Sequence, residues 1–164
     1  MFNAPKAFLF TFVPYGTRLH GDERGTVDKF HNRFGEEFVP PSLTYESMRR
    51  ADLAEEPLLI TPKMRGIIED TILQHCEHRG WHHHANNVRT NHIHAVLSAD
   101  GDPDRMLADL KAYLTRALRR AGAIGDRKRA WAERGSKRYL FTDEALARAC
   151  EYVWLAQGPD LPRE

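Results

Sequence analysis

Val-Arg-Thr-Asn-His-Ile-His-Ala-Val-Leu, residues 88–97, decides how the rest of the chain is read. His92 and His94 are separated by one apolar residue in a run of β-formers, so on a strand both imidazoles point to one side. Ile93, Ala95 and Leu97 then point to the other side and suit a core beneath helices. The preceding run, Trp81–Val88, has the character of a second strand, and Arg89-Thr90-Asn91 is short enough to join the two as an antiparallel hairpin. Pairing Val88 with His92 sets Asn86 opposite His94 and His84 opposite Val96, all on the histidine side. The three consecutive histidines 82–84 alternate faces, so no more than two of them act together. Two imidazoles on one strand, with a third polar group from a neighbour, can hold a divalent cation.

The chain divides readily around this hairpin. Ala7–Val13 is aromatic and β-branched and reads as a buried strand. Residues 14–61 are irregular, broken by Gly16, Gly21, Gly25, Gly35, Pro40-Pro41 and Pro57, with a short helix expected near Tyr45–Leu53. Thr61-Pro62 opens a helix whose apolar positions are Met64, Ile67, Ile68, Ile72 and Cys76, closed by Arg79-Gly80. Asp102-Pro103 opens a second helix, Pro103–Ala121, with the stripe Met106, Leu107, Leu110, Leu114, Ala117 and Leu118. A basic loop, a short strand near Arg138–Phe141 and a helix from Thr142 to about Ala156 complete the chain. The order β-α-β-β-α-β-α predicts a ferredoxin-like α+β fold, an antiparallel sheet backed by helices.

The chain has 164 residues, the size of one domain, taken as spanning 1–164 with 14–61 as an irregular insertion. Charged residues make up 29%, and no run approaches the roughly 20 apolar residues of a membrane span, which excludes a membrane partner. The N-terminus lacks the pattern of a signal peptide. Cys76 and Cys150 are not spaced as a metal knuckle and read as buried thiols in a reducing, cytoplasmic setting. The net charge of +1 conceals an asymmetry: residues 105–138 hold eleven Lys/Arg against Asp109, Asp126 and Glu133, an excess of eight positive charges. So one-sided an excess points to a polyanion.

Within that basic segment Tyr113 lies at the edge of the second helix's apolar stripe, where an ordinary tyrosine would mark the core margin. Its position soon after the histidine pair also suits a nucleophile attacking a phosphodiester. A phenol with an ordinary pKa of about 10 is a poor nucleophile at neutral pH, and a cation polarising the phosphate compensates for this.

Asn91-His92-Ile93-His94 followed by Lys111-Ala112-Tyr113-Leu114-Thr115-Arg116 resembles the single-tyrosine HUH transposases, including their REP-associated relatives. Trp131, Gly135-Ser136-x-Arg138-Tyr139-Leu140 and Glu151-Tyr152-Val153 are similar to the C-terminal part of the REP-associated members. The resemblance covers roughly 62–157 and the first strand. It implies a ferredoxin-like fold and cleavage of single-stranded DNA through a 5′-phosphotyrosine. On the matching positions Tyr113 would be the nucleophile, with His92 and His94 holding Mg²⁺ or Mn²⁺. The DNA partner implied is single-stranded, typically a hairpin. The family's third ligand, Gln or Asn one helical turn after the tyrosine, falls here on Ala117, which ligates nothing. Asp109, one turn before Tyr113, and His84 or Asn86 beside the histidines are the replacements open to this chain. Lys111, Arg116, Arg119, Arg120, Arg127, Lys128 and Arg129 would grip phosphates. The reading is thus a metal-dependent transposase or nickase, monomer or homodimer. Its rival is a non-catalytic DNA-binding protein derived from a transposase, which the Ala117 departure favours. A hydrolase using the histidines alone lacks a carboxylate base.

Overall fold

A computed structural model describes residues 3–17 and 53–157. In chain order the elements are β1 (Ala7–Phe12), α1 (Pro62–Arg79), β2 (His82–Val88), β3 (Ile93–Ser98), α2 (Pro103–Arg120), β4 (Ser136–Leu140) and α3 (Asp143–Leu155). The strands form one antiparallel sheet in the order β2-β3-β1-β4. This is the α+β, ferredoxin-like arrangement expected, with α3 added after β4. The helix expected near Tyr45–Leu53, and most of the stretch 14–61, lie outside the described residues.

Each helix starts where its sequence says. The Thr61 hydroxyl accepts from the Met64 amide (3.2 Å) ahead of Pro62, Asp102 accepts from the Asp104 amide (3.0 Å), and Thr142 accepts from the Ala145 amide (3.1 Å). Gly80 ends α1 in the left-handed conformation, φ 68°, which costs a glycine nothing.

The alternation along β1 sorts the sheet into two unequal faces. Phe8, Phe10 and Phe12 point to one side, where Ile93, Ala95 and Leu97 of β3 join Ile68 and Ile72 of α1 and Leu110, Leu114 and Leu118 of α2 in the main core. Ala7 and Leu9 point to the other, where with Ala85, Val96 and Leu140 they meet Ala149, Cys150 and Val153 of α3, with Ala145 and Leu146 partly buried at the edge. Burying large side chains contributes about 1.5–3 kcal/mol each, so the α1/α2 face carries most of the hydrophobic stabilisation.

The segment before β4 passes close to this core. A Cβ on Gly135 would lie 2.9 Å from the Thr11 carbonyl oxygen and from Leu107 Cδ2, so the chain crosses β1 there only as glycine. That crossing starts β4 at Ser136, two residues before the start read from sequence.

The hairpin register differs from the expected one by a single residue. Val88 pairs with Ile93, Asn87 with His94 and Asn86 with Ala95. The loop is Arg89–His92, one residue longer than expected, closed by the Arg89 amide donating to the His92 carbonyl (2.9 Å). The Ile60 amide donates to the Thr90 carbonyl and ties the loop to the end of the 14–61 stretch. Because strand side chains alternate with period two, this slip turns Asn86 away from the histidine side and brings Asn87 onto it.

Candidate functional site: a histidine pair under the last turn of the third helix

His92 and His94 stand on the α3 side of the sheet with ring centroids 5.0 Å apart. His94 is 5% exposed, and its Nδ1 lies 2.8 Å from Thr11 Oγ1 on the adjacent strand. A hydroxyl holding Nδ1 fixes the ring orientation, with Nε2 on the far side of the ring from Thr11. His92 is held at both ends, Nδ1 2.8 Å from Asn91 Oδ1 and Nε2 3.1 Å from Gln157 Oε1. Gln157 follows α3, and its amide nitrogen donates to the Tyr152 carbonyl (3.3 Å). The ring of Tyr152, in the last turn of α3, sits edge-on to His94 with centroids 5.5 Å apart and is 46% exposed.

The groups here that could hold a metal are the two imidazoles and the Gln157 amide oxygen. His92 Nε2 and Gln157 Oε1 lie 3.1 Å apart in a hydrogen-bond contact that a cation held by both would have to replace. Imidazole favours the borderline transition metals and amide oxygen the harder ions, so the mixed set fits Mn²⁺ better than Mg²⁺. The C-terminal end of α3, with its partial negative charge and no basic residue in its last turn, also favours a cation at this place. Among the described residues no three His, Cys, Asp or Glu side chains converge as a metal cluster.

The structure does not bring Tyr113 to the histidine pair. Tyr113 is on α2, across the sheet, in the seam with α1. There its ring lies 4.0 Å from that of His75 and under the guanidinium of Arg116, 4.2 Å from the centroid. A helix that packs its apolar stripe on the Phe8/Phe10/Phe12 face cannot present a side chain to the opposite face. Asp109 belongs to the same seam, its carboxylate accepting from His75 Nε2 (3.0 Å) and Arg79 (2.8 Å). It is therefore separated from the histidine pair as well, and the apolar Ala117 of that helix is irrelevant to the site.

The other two alternatives for a third ligand are displaced too. Asn86 faces the α1/α2 side and contacts His83 Nε2 through Oδ1 (2.6 Å). His84 is the extra residue at a β-bulge between His83 and Ala85, its Nε2 2.7 Å from Ser98 Oγ. Ser98 is four residues along β3 from His94, about 13 Å at strand rise.

The basic segment likewise lies away from the histidines, and much of it holds the fold together. Lys111 donates to the Ala132 carbonyl (3.0 Å), and burial pulls its ammonium down from 10.5 to about 8 against the opposing pull of Glu133. Arg127 donates to the carbonyls of Arg129 (3.1 Å) and Glu56 (2.6 Å) and pairs with Glu55, whose carboxylate also accepts from the amides of Lys128 and Arg129. Arg119 donates to the Arg127 carbonyl (2.9 Å). Arg129 lies over the Tyr15 ring, and Arg116 and Arg120 remain on the exposed side of α2. On the histidine side the basic residue of β4 is Arg138, paired with Leu9 and exposed.

Sequence reasoning missed Asn87, Thr11, Gln157 and the placement of Tyr152. In the sequence Glu151-Tyr152-Val153 reads only as a C-terminal likeness; the available signal is an aromatic and an amide, Tyr152 and Gln157, at the end of an amphipathic helix.

No protein-family model matches the chain, and no curated protein matches it significantly. Among solved structures it is similar to that of a REP-associated tyrosine transposase bound to a REP hairpin, with 11% identity over 95% of this chain and 69% of that one and a TM-score of 0.49. Among the described residues no helix is long and apolar enough to cross a membrane.

Proposed function

We propose that this chain cleaves single-stranded DNA, hairpin DNA in particular, and transfers the strand through a covalent tyrosine intermediate, with Tyr152 as the nucleophile. The observation that carries the reading is that Tyr152 packs against His94 while Gln157, on the same helix end, reaches His92. The resemblance of the Asn91–His94 segment to single-tyrosine transposases supports the same chemistry, with Tyr152 taking the role first given to Tyr113. The phenolate oxygen of Tyr152 would attack phosphorus, the bond from phosphorus to the 3′ oxygen would break, and a 5′-phosphotyrosine and a 3′-hydroxyl would result. The phenol's proton leaves to solvent and the departing oxygen takes one up.

His92, His94 and Gln157 would hold a divalent cation, Mn²⁺ or Mg²⁺, which when bound supplies charge to polarise the phosphodiester. The need for it follows from the helix end: with no basic residue in the last turn of α3, a phosphate there faces a partial negative charge. Thr11 keeps His94 oriented, and Arg138 on β4 offers a contact for flanking phosphate on the same side of the sheet.

The test is a covalent trap. A labelled single-stranded hairpin incubated with the protein and Mn²⁺ should give an adduct stable to denaturant, absent with EDTA, absent in Tyr152→Phe and retained in Tyr113→Phe. An adduct lost in Tyr113→Phe and kept in Tyr152→Phe would sink the assignment. DNA binding with no adduct under any condition would return the chain to the non-catalytic reading.

A further inference from the structure

We infer that Asn87 is a positioning residue for the nucleophile, acting as a helix cap supplied from the sheet. The inference rests on the reading of Tyr152 given above.

The last four carbonyls of a helix have no partner within it and are satisfied by groups beyond it or from elsewhere in the fold. The helix α3 ends at Ala156 with φ −94° and ψ 13°, outside the left-handed conformation that would let it close on itself, and its last turn holds no basic side chain. Two of its terminal carbonyls are satisfied by named groups. That of Tyr152 accepts from the Ala156 amide (3.1 Å) and from the Gln157 side chain (3.3 Å). That of Val153 accepts from Nδ2 of Asn87 at 3.0 Å, sixty-six residues away in sequence. Asn87 is the cross-strand partner of His94. One strand position therefore fixes the helix turn that bears Tyr152 directly beside the imidazole it faces.

The apolar packing beneath α3 does not do this alone. Its buried residues are Ala149, Cys150 and Val153, with Ala145 and Leu146 partly buried beside them, a contact made mostly by small side chains and lacking a directed bond at the helix end. The hydrogen bond from Asn87 supplies one. A misplacement of about 1 Å at a reacting group can cost on the order of 100-fold in rate.

Asn87→Leu removes the donor while keeping a branched side chain of four heavy atoms, and Asn87→Ala reads the same contact without added bulk should the leucine variant fail to fold. We expect the single-turnover rate of adduct formation at saturating hairpin DNA and Mn²⁺ to fall by about 10- to 100-fold. The Kd for DNA should stay within threefold, and amide hydrogen exchange should quicken in residues 150–157 while α1 and α2 are unchanged. A wild-type rate, a fall explained by weaker DNA binding, or unchanged exchange at the end of α3 overturns the inference. A Tyr152→Phe control separates the two failures. If that variant still forms the adduct, the nucleophile assignment is wrong, and the exchange measurement alone then decides whether Asn87 anchors the helix.

Discussion

Each face of the sheet sets a tyrosine against a histidine, and the two pairs differ in everything that matters for chemistry. On the α1/α2 side, Tyr113 stacks on His75, which is 2% exposed and tied to Asp109, while Arg116 covers the tyrosine from outside. On the α3 side, Tyr152 is nearly half exposed beside His94, with a second imidazole and an amide oxygen within reach. The first pair is a seam closed by a carboxylate and two guanidinium groups. The second is open on one side, and among the described residues no carboxylate is bonded to either of its imidazoles. Proximity of tyrosine to histidine is thus poor evidence of a site; exposure and the donor set separate a packing arrangement from a reactive one.

The largest expected effect is the exchange of roles between the two tyrosines. Tyr152→Phe should remove adduct formation altogether, at least about 10³-fold, since no other group replaces a covalent nucleophile. Tyr113→Phe should leave the adduct rate within about threefold and alter only stability. A gel of trapped adduct against time reads both variants.

The next effect concerns packing. Leu114→Ala, in the fully buried α2 stripe, should destabilise by about 2–5 kcal/mol, whereas Val153→Ala under α3 should cost about 1–2 kcal/mol. Urea midpoints at constant m-value measure both. Equal losses would mean that the α3 face is as tightly built as its opposite.

The same contrast explains what could be read from the chain before its structure. The α1 and α2 boundaries, the aromatic alternation of β1 and the element order were legible because each rests on local signals: Thr61-Pro62, Asp102-Pro103, Gly80 and a period of two. His92 and His94 were legible as a same-face pair for the same reason. What failed was the relation between distant elements. The hairpin loop holds one more residue than the sequence suggested, and that single residue exchanges Asn86 for Asn87 at the site. Which side of the sheet α2 covers is decided by Phe8, Phe10 and Phe12, and no spacing between His94 and Tyr113 reveals it. The positive segment misled in a similar way, because a guanidinium that ties loop carbonyls together and one that binds phosphate look the same in sequence.

Lys111 sharpens that last point. Its folded-state pKa of about 8, below the unfolded 10.5, means the fold carries the cost of a buried ammonium at neutral pH, roughly 3 kcal/mol before the bond to the Ala132 carbonyl returns a part. Lys111→Met keeps the stem against Phe12 and removes the charge, so at pH 7 it should raise stability by about 1 kcal/mol and leave hairpin binding unchanged. Between pH 8 and 10.5 the native lysine loses its proton before the unfolded one does, so the wild type gains stability and the advantage of the variant should shrink. A tenfold loss of DNA affinity in Lys111→Met would instead place this lysine against phosphate.

The smallest effect belongs to the closed seam. Burial pulls the His75 pKa below 6.5, with the carboxylate of Asp109 opposing and the charges of Arg79 and His78 adding to the fall. The unfolded chain therefore takes up a proton near pH 6.5 while the native seam resists it, so His75 contributes full stability above pH 6.5 and loses it as the pH drops through that value. His84, also held low by burial, adds a slope of the same sign. Urea midpoints between pH 7.5 and 5.5 should fall less steeply in His75→Gln than in the wild type. Identical slopes would mean that Asp109 balances burial, and a wild type that falls less steeply than the variant would mean that Asp109 outweighs it and the seam accepts the proton. The Tyr113 side would then be the more polar of the two faces in behaviour, if not in exposure.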